Sequence, residues 1–399
     1  MSRAGALELG VAAGERVAIA LPPGPDFVVA LHACIAAGAV TVPVDLREPR
    51  ERWPLAGVGA VGDRPLDCSG AELAVRERSL DDVAVIVRTS GTVSGTPTEV
   101  PLTYGNFLWS AIGSAVALGL DPAERWLCTL PLVHVGGLSI LIRSALYGTT
   151  AVVHERFDPE IAVAALMDDG ITLVSVVATT LTRLLEGGLQ QPPALRCALA
   201  GGGPVPAALI ERARAAGVAV SQTYGLTETC SQVATQSPGA EFSADAGPPL
   251  FCTRLELAPD GEILVSGPTV TPSVGPVLAT GDLGEIDRDG NLRVIGRKSD
   301  TIISGGENVA PSRVEAVLSE HPLVLEAGVF GVSDAEWGEA VHAAVVLRAP
   351  VDQHALRQHC AARLATYEVP KDIVFVAALP RTASGKLRRR ELAALSAGG

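Results

Sequence analysis

From residue 16 to residue 224 the sequence alternates short apolar runs with longer amphipathic ones, and this rhythm constrains the fold more than any other feature. "RVAIAL" (16–21) reads as a strand, 25–37 as a helix and "VTVPV" (40–44) as a second strand. "VAVIVRT" (83–89), a helix over 136–147, "TAVV" (150–153), a helix over 158–169 and "ITLVSVV" (171–177) follow. "LRCALAG" (195–201), a helix over 206–216 and "VAVSQTY" (218–224) complete the series. Short apolar strands between amphipathic helices predict largely parallel sheets covered by helices. Ligands in such folds collect at the carboxyl ends of the strands. Near residue 250 the pattern changes. "TRLELAPDGEILVSG" and "GEIDRDGNLRVIGR" each set an Asp-Gly turn between alternating strands, the signature of a β-hairpin. After Arg297 a smaller α+β unit is expected, with helices over 311–320 and 353–365 and strands near 326–331 and 341–347. The fold class is therefore α/β. A large N-terminal domain of helix-covered sheets with a β-rich subdomain spans 1–297, a small α+β C-terminal domain spans 298–399, and a short hinge lies near "GRKSD" (296–300).

With 399 residues, nearly half of them hydrophobic, the chain can bury a large core. The formal charge of −13 argues against general affinity for nucleic acid, which needs a positive field. Seven scattered cysteines without CxxC spacing predict reduced thiols in a cytoplasmic protein, with neither a zinc site nor a disulfide framework. Glu8 and Glu15 precede any long apolar run, so no signal peptide is expected. Residues 27–44 approach membrane-spanning length, but His32, Gly38 and Pro43 suit a buried helix turning into a strand. No membrane span is expected, and whether the chain forms a homo-oligomer is left open.

Five segments carry candidate chemistry. "RTSGTVSGTPTEV" (88–100) follows an apolar strand. Its small residues could turn backbone N–H groups into an anion nest, with Gly91 for the turn and the hydroxyls of Thr89, Ser90 and Thr92 as donors. It is not a Walker loop, and an ordinary polar strand-to-helix loop is the equal alternative. "GGGPVP" (201–206) could lie flat against a planar ring, or its glycines could serve tight strand–helix packing. "QTYGLTETCSQ" (222–232) clusters Tyr224, Gly225, Thr227 and Glu228 at a strand end, where Glu228 is either a Mg²⁺ ligand or a plain surface acid. "TGDLGEID" (280–287) offers Asp282 as a ribose-hydroxyl acceptor or as part of a hairpin turn. "LPRTASGKLRRREL" (379–392) presents Lys386 on a small-residue loop before a basic helix.

Taken in this order, over residues 10–392, these segments resemble the adenylate-forming superfamily of acyl-CoA synthetases, peptide-synthetase adenylation domains and luciferases. "LPLVHVGGLSILIRSALYGTTAVVHERFD" (130–158), "LRCALAGGGPVP", "QTYGLTETCSQVAT" and "GRKSDTIISGGENVAP" look like the o-succinylbenzoate–CoA ligases of menaquinone biosynthesis. The resemblance implies an AMP-forming acid–thiol ligase using ATP, Mg²⁺ and coenzyme A as the co-substrate. The carboxylate is joined to ATP, giving an acyl-adenylate and pyrophosphate, and the acyl group then passes to the thiol. By residue-wise carry-over Lys386 bridges the carboxylate and α-phosphate oxygens, Thr227 bonds the phosphate and Glu228 holds Mg²⁺. Thr89, Ser90, Gly91 and Thr92 grip the outer phosphates. Gly201, Gly202, Gly203, Tyr224 and Gly225 border the adenine, while Asp282 takes the ribose with Arg297 nearby. His134, read as closing the strand of "WLCTLP", either faces the reacting carboxylate as a catalytic residue of the acyl pocket or is structural, and Ser231 joins the same pocket. Ser299 is the pivot of a mobile C-terminal domain, and Gly305 and Gly306 in "SGGEN" line the approach of coenzyme A.

Two features bear on the choice of substrates. Thr98 and Glu99 stand where the phosphate loop of the family usually ends in a lysine, and the only lysines are Lys298, Lys371 and Lys386. Backbone donors, hydroxyls and Mg²⁺ would then hold the phosphates with a raised KM for ATP. Arg143 interrupts the otherwise apolar helix "GLSILIRSALYG"; it is expected to meet either the second carboxylate of a dicarboxylic aromatic acid or an internal partner such as Glu155 or Asp158. The alternatives weighed beside o-succinylbenzoate ligation are an aryl- or fatty-acyl-CoA ligase of another pathway and a nucleotide-binding pseudoenzyme with a degenerate phosphate loop.

Overall fold

A computed structural model describes residues 10–67, 77–89, 98–241, 243–381 and 387–396. These residues divide into two compact units, one drawn from 1–202, 213–256 and 264–278, the other from 203–212, 257–263 and 279–399. Lys386, Ser90, Gly91 and Thr92 lie outside the described residues.

The first unit is built on two sheets. One has the order Val58–Gly62, Arg16–Ile19, Val40–Pro43, Val83–Thr89, Thr98–Thr103. Its first four strands are parallel and the last is antiparallel. The other has the order Ser231–Thr235, Val220–Leu226, Cys197–Ala200, Leu173–Val176, Arg125–Cys128, Thr150–Val153, parallel except for Ser231–Thr235. The strands Val40–Pro43, Leu173–Val176 and Cys197–Ala200 are buried at every position. Such strands carry no in–out alternation because helices cover both faces, as the short, largely apolar runs predicted. Phe27, Leu31, Leu102, Leu138 and Leu141 are among the side chains that fuse sheet and helices into one core.

Local chemistry sets the helix ends. Pro25 opens the helix Pro25–Ala37, and Gly38 closes it in the left-handed conformation, so residues 27–44 are a helix followed by a strand. Asp158 caps Pro159–Asp168 by accepting the N–H groups of Glu160 and Ile161. Two helices were not anticipated, Tyr104–Leu118 and Ala178–Glu186. The first is apolar or small on nearly every side and therefore lacks a readable stripe. It is announced instead by a reciprocal cap in which Thr103 and Asn106 exchange side-chain and backbone hydrogen bonds.

A four-stranded sheet, Arg254–Leu257, Glu262–Ser266, Val277–Ile286, Leu292–Arg297, contains both expected hairpins. Gly261 and Gly290 sit at φ 83° and 85° in the two Asp-Gly turns. In the second unit the strands run in the order Glu307–Val309, Ile302–Ser304, Gly338–Leu347, Val324–Asp334, with Asp372–Phe375 paired parallel to Gly338–Leu347. The helices Pro311–Ser319 and Gln353–Ala361 pack Val314, Leu318, Leu356 and Cys360 against Val329, Val341 and Val345. No helix among the described residues is long and apolar enough to cross a membrane. The six described cysteines are all free thiols, five of them buried.

Candidate active site

The strand Val83–Thr89 is followed in the described residues not by a helix but by the strand Thr98–Thr103, with Thr89 paired to Thr98 across an antiparallel ladder, and the helix begins only at Tyr104. Thr98 is exposed at the start of its strand, and Glu99 beside it is paired with Arg16 at 3.1 Å. The position where a basic residue was expected thus carries no positive charge of its own.

At the carboxyl end of Val220–Leu226 the chain makes a single tight turn, Thr227–Thr229, before reversing into Ser231–Thr235. Thr229 closes this turn, its hydroxyl donating to Leu226 O and accepting from Leu226 N–H, both at 3.0 Å. Thr271 N–H donates to Glu228 O at 2.8 Å. Glu228 is half-buried, and its carboxylate has no partner among the described residues. A single hard oxygen donor with open valence suits Mg²⁺, which is held by one or two carboxylates together with substrate phosphates and water. The hydroxyl of Thr227, half-buried in the same turn, likewise has no hydrogen-bond partner among the described residues. The glycine in "TYGLTE" has a steric cause: a Cβ at Gly225 would run into the carbonyl oxygen of Ser231. Cys230 and Ser231 follow with φ 52° and 95°, left-handed values that non-glycine residues adopt only where surrounding structure enforces them. Tyr224 is half-buried in the same strand, opposite Ala234.

The neighbouring glycine run has mixed causes. A Cβ at Gly201 would lie 2.7 Å from Thr223 Cγ2 and 3.0 Å from Thr223 O, so tight strand packing accounts for it. Gly202 is left-handed at φ 77°, whereas a Cβ at Gly203 would meet nothing within 4 Å.

His134 was expected to close the strand of "WLCTLP". That strand ends at Cys128, and His134 is instead the N-cap residue of the helix Val135–Tyr147. It is half-buried, and its positive form helps hold the Asp45 carboxyl below the usual range, after the larger effect of the Arg47 side chain bonded to that carboxyl. Arg143, two turns along the same helix, is 2% exposed. Its Nη2 donates to Ser110 Oγ at 2.8 Å, and its buried Nε has no partner. Neither Glu155 nor Asp158 pairs with it; Asp158 is spent as a helix cap. Burial pushes the Arg143 pKa down, with Tyr147 and Cys230 pulling the other way.

In the second unit Asp282 and Arg297 face each other across the second hairpin and form an ion pair, Nε to Oδ1 2.7 Å. Asp282 lies within the strand Val277–Ile286 rather than in the turn, and its N–H is fixed by Thr280 Oγ1 at 3.1 Å. Ser299 is exposed in the short turn Lys298–Asp300. Both flanking residues are tied down. Lys298 Nζ reaches Asp260 and Glu262 at 2.6 and 2.9 Å, and Asp300 pairs with Arg389 at 3.2 Å. Gly305 and Gly306 are left-handed, and Gly305 N–H donates to Trp337 O at 2.8 Å. Lys371 Nζ stands 3.9 Å from the Trp337 ring centroid, a cation–π pair beside the "SGGEN" turn that no motif in the sequence disclosed.

Comparison with known proteins decides the family. Residues 2–54 and 48–273 match the family described as AMP-binding enzyme. The chain belongs to the AMP-binding enzyme family. Residues 313–386 match the C-terminal domain of AMP-binding enzymes. The 2-succinylbenzoate–CoA ligase of Bacillus licheniformis is 46% identical, over 78% of this chain and 70% of that protein. The protein of the same name from Bacillus cereus is 39% identical, over 96% of this chain and 89% of its own length. Among solved structures, the o-succinylbenzoate CoA synthetase of Bacillus subtilis in complex with the acyl-adenylate intermediate superposes with a TM-score of 0.88. It shares 36% identity and covers 98% of this chain and 91% of that one. The same synthetase in complex with ATP and magnesium ion gives 0.86 at 36% identity, over 98% and 92% of the two chains. This AMP-binding enzyme thus shares both the large and the small domain of its relatives.

Proposed function

We infer that this AMP-binding enzyme ligates o-succinylbenzoate to coenzyme A at the expense of ATP, through an acyl-adenylate, and that it works in the cytoplasm. Relatives of that name matching most of the chain support the reaction. Arg143 carries the choice of acid: a buried guanidinium with one neutral partner and an unspent donor calls for an anion, and o-succinylbenzoate brings a second carboxylate beyond the one activated. An internal ion pair would have favoured a monocarboxylate ligase, and among the described residues Arg143 has none.

In the first half-reaction a carboxylate oxygen of the acid attacks the α-phosphorus of ATP and pyrophosphate leaves. Two anions must meet, so preorganised donors and cations supply most of the rate. Lys386 would bridge the two reacting groups, and Thr227 would donate to the α-phosphate. Glu228 would hold Mg²⁺, which neutralises phosphate charge. Asp282 would accept the ribose hydroxyls, kept in place by Arg297, while Gly201, Gly202, Gly203, Tyr224 and Gly225 would flank the adenine. Thr89, Ser90, Gly91 and Thr92 would hold the departing phosphates, and His134 and Ser231 would line the acyl pocket beside Arg143. In the second half-reaction the thiol sulfur of coenzyme A attacks the acyl carbon and AMP leaves. A domain spanning 298–399 would pivot at Ser299 against 1–297, withdrawing Lys386 and bringing Gly305 and Gly306 to the thiol. Release of pyrophosphate in the presence of o-succinylbenzoate, benzoate or a medium-chain fatty acid tests the reading. Release saturating at the lowest concentration with o-succinylbenzoate is expected, and equal release with all three would remove the substrate assignment.

A further inference from the structure

The helix Tyr104–Leu118 carries Asn106 and Ser110 one turn apart. Asn106 Nδ2 donates to Pro268 O and Val270 O at 2.8 and 3.0 Å, and the next residue, Thr271, holds Glu228 O through its N–H. Ser110, 1% exposed, donates its hydroxyl to Cys230 O at 2.7 Å and accepts Nη2 of Arg143 at 2.8 Å. The helix is therefore tied to the turn bearing Thr227 and Glu228 at both ends, directly at Cys230 O through Ser110 and at Glu228 O by way of residues 268–271, and the Ser110 hydroxyl that makes the first tie also accepts from the guanidinium of Arg143. Cys230 and Ser231, the left-handed pair at the end of that turn, are the residues whose conformation the Ser110 hydrogen bond secures.

We propose that Ser110 is a positioning residue that couples occupation of Arg143 by the carboxylate of the acid to the geometry of the nucleotide-binding turn at Thr227–Cys230. A carboxylate on the free Nε–H would fix the guanidinium plane and hold Nη2 on Ser110. Its polarised O–H would then be the stronger donor to Cys230 O, because hydrogen bonds in a chain reinforce one another. The left-handed pair, and with it Thr227 and Glu228, would be held in one arrangement. Such coupling is reciprocal: the acid tightens the nucleotide and the nucleotide tightens the acid. The proposal rests on the reading of Arg143 as the site of the second carboxylate.

Titration calorimetry with Mg²⁺ and the unreactive α,β-methylene analogue of ATP, with and without saturating o-succinylbenzoate, tests it in the full chain. In the wild type, and in Ser110→Thr, which keeps the hydroxyl, the acid should tighten the analogue by about fivefold or more. In Ser110→Ala this enhancement should vanish while each ligand alone still binds. Full enhancement in Ser110→Ala would overturn the proposal, as would equal weakening of both separate affinities with a lowered melting temperature, the mark of a merely structural serine. An acid that fails to bind the wild type at all would bring down the functional reading itself, and one that binds without enhancement would bring down only the relay.

Discussion

Replacing Arg143 by leucine separates function from stability. The guanidinium is 2% exposed, makes one hydrogen bond, to a neutral hydroxyl, and leaves Nε unpartnered. A desolvated charge so poorly compensated contributes little to folding, and its apolar replacement is neutral or stabilising by about 1–4 kcal/mol in comparable sites. The neighbours Leu138, Ile140, Leu141 and Ile142 are all buried, so leucine continues an existing apolar surface. Against this stands the loss of the bond to Ser110, whose hydroxyl keeps its second partner, Cys230 O. Arg143→Leu should therefore melt at or above the wild-type temperature in differential scanning calorimetry. Its kcat/KM should behave oppositely. One charge-assisted contact to a carboxylate is worth roughly 1.5–3 kcal/mol, so activity with o-succinylbenzoate should fall by roughly 10- to 150-fold. Activity with benzoate, which has no second carboxylate, should change little. A marked drop in melting temperature together with equal loss for both acids would make Arg143 a structural residue with no part in choosing the acid.

Further predictions follow from single observations. Gly225→Ala drives a methyl group into the Ser231 carbonyl; a lower melting temperature and loss of adenylation are expected, and unchanged nucleotide binding would contradict the close approach. Thr98→Lys restores a cation beside the phosphate loop and should lower the KM for ATP about tenfold; an unchanged KM would mean the loop does not lack charge. Ser299→Pro should slow thioester formation more than pyrophosphate release in single-turnover assays, and equal slowing would place the pivot elsewhere. Burial raises the thiols of Cys128 and Cys230 to about 12, against about 8.5 in an unfolded chain. Their contribution to stability is therefore whole below pH ~8.5 and is lost toward pH ~12, at about 1.4 kcal/mol per unit for each thiol. Urea unfolding at increasing alkaline pH should show that decline, with a shallower slope in Cys128→Ala.

Much of the fold was legible because its signals are local. Largely apolar four-residue strands, Pro25 and Gly38 at the ends of one helix, and Asp-Gly turns at Gly261 and Gly290 each act within a few residues. The helix Tyr104–Leu118 was not legible, because a segment buried nearly all round has no polar face to set its period. The strand Thr98–Thr103 escaped for a different reason: a run with Pro101 inside it does not read as a strand, yet at the sheet edge a proline is tolerated. In the site, the isolation of Arg143 could be seen in its apolar helix, but the identity of its partner could not. Ser110 lies 33 positions away and Cys230 120 positions from Ser110, and only the packing of the helices Tyr104–Leu118 and Val135–Tyr147 unites them. Trp337 and Lys371 likewise meet only through the fold.

Ligation of o-succinylbenzoate through Lys386 can be read by mass spectrometry of a reaction containing the enzyme, Mg-ATP, coenzyme A and o-succinylbenzoate, with Lys386→Ala run in parallel. The wild type should give o-succinylbenzoyl-CoA and AMP, and the variant neither in quantity. A thioester formed only from a different acid, or one formed equally well without Lys386, would contradict the proposed reaction.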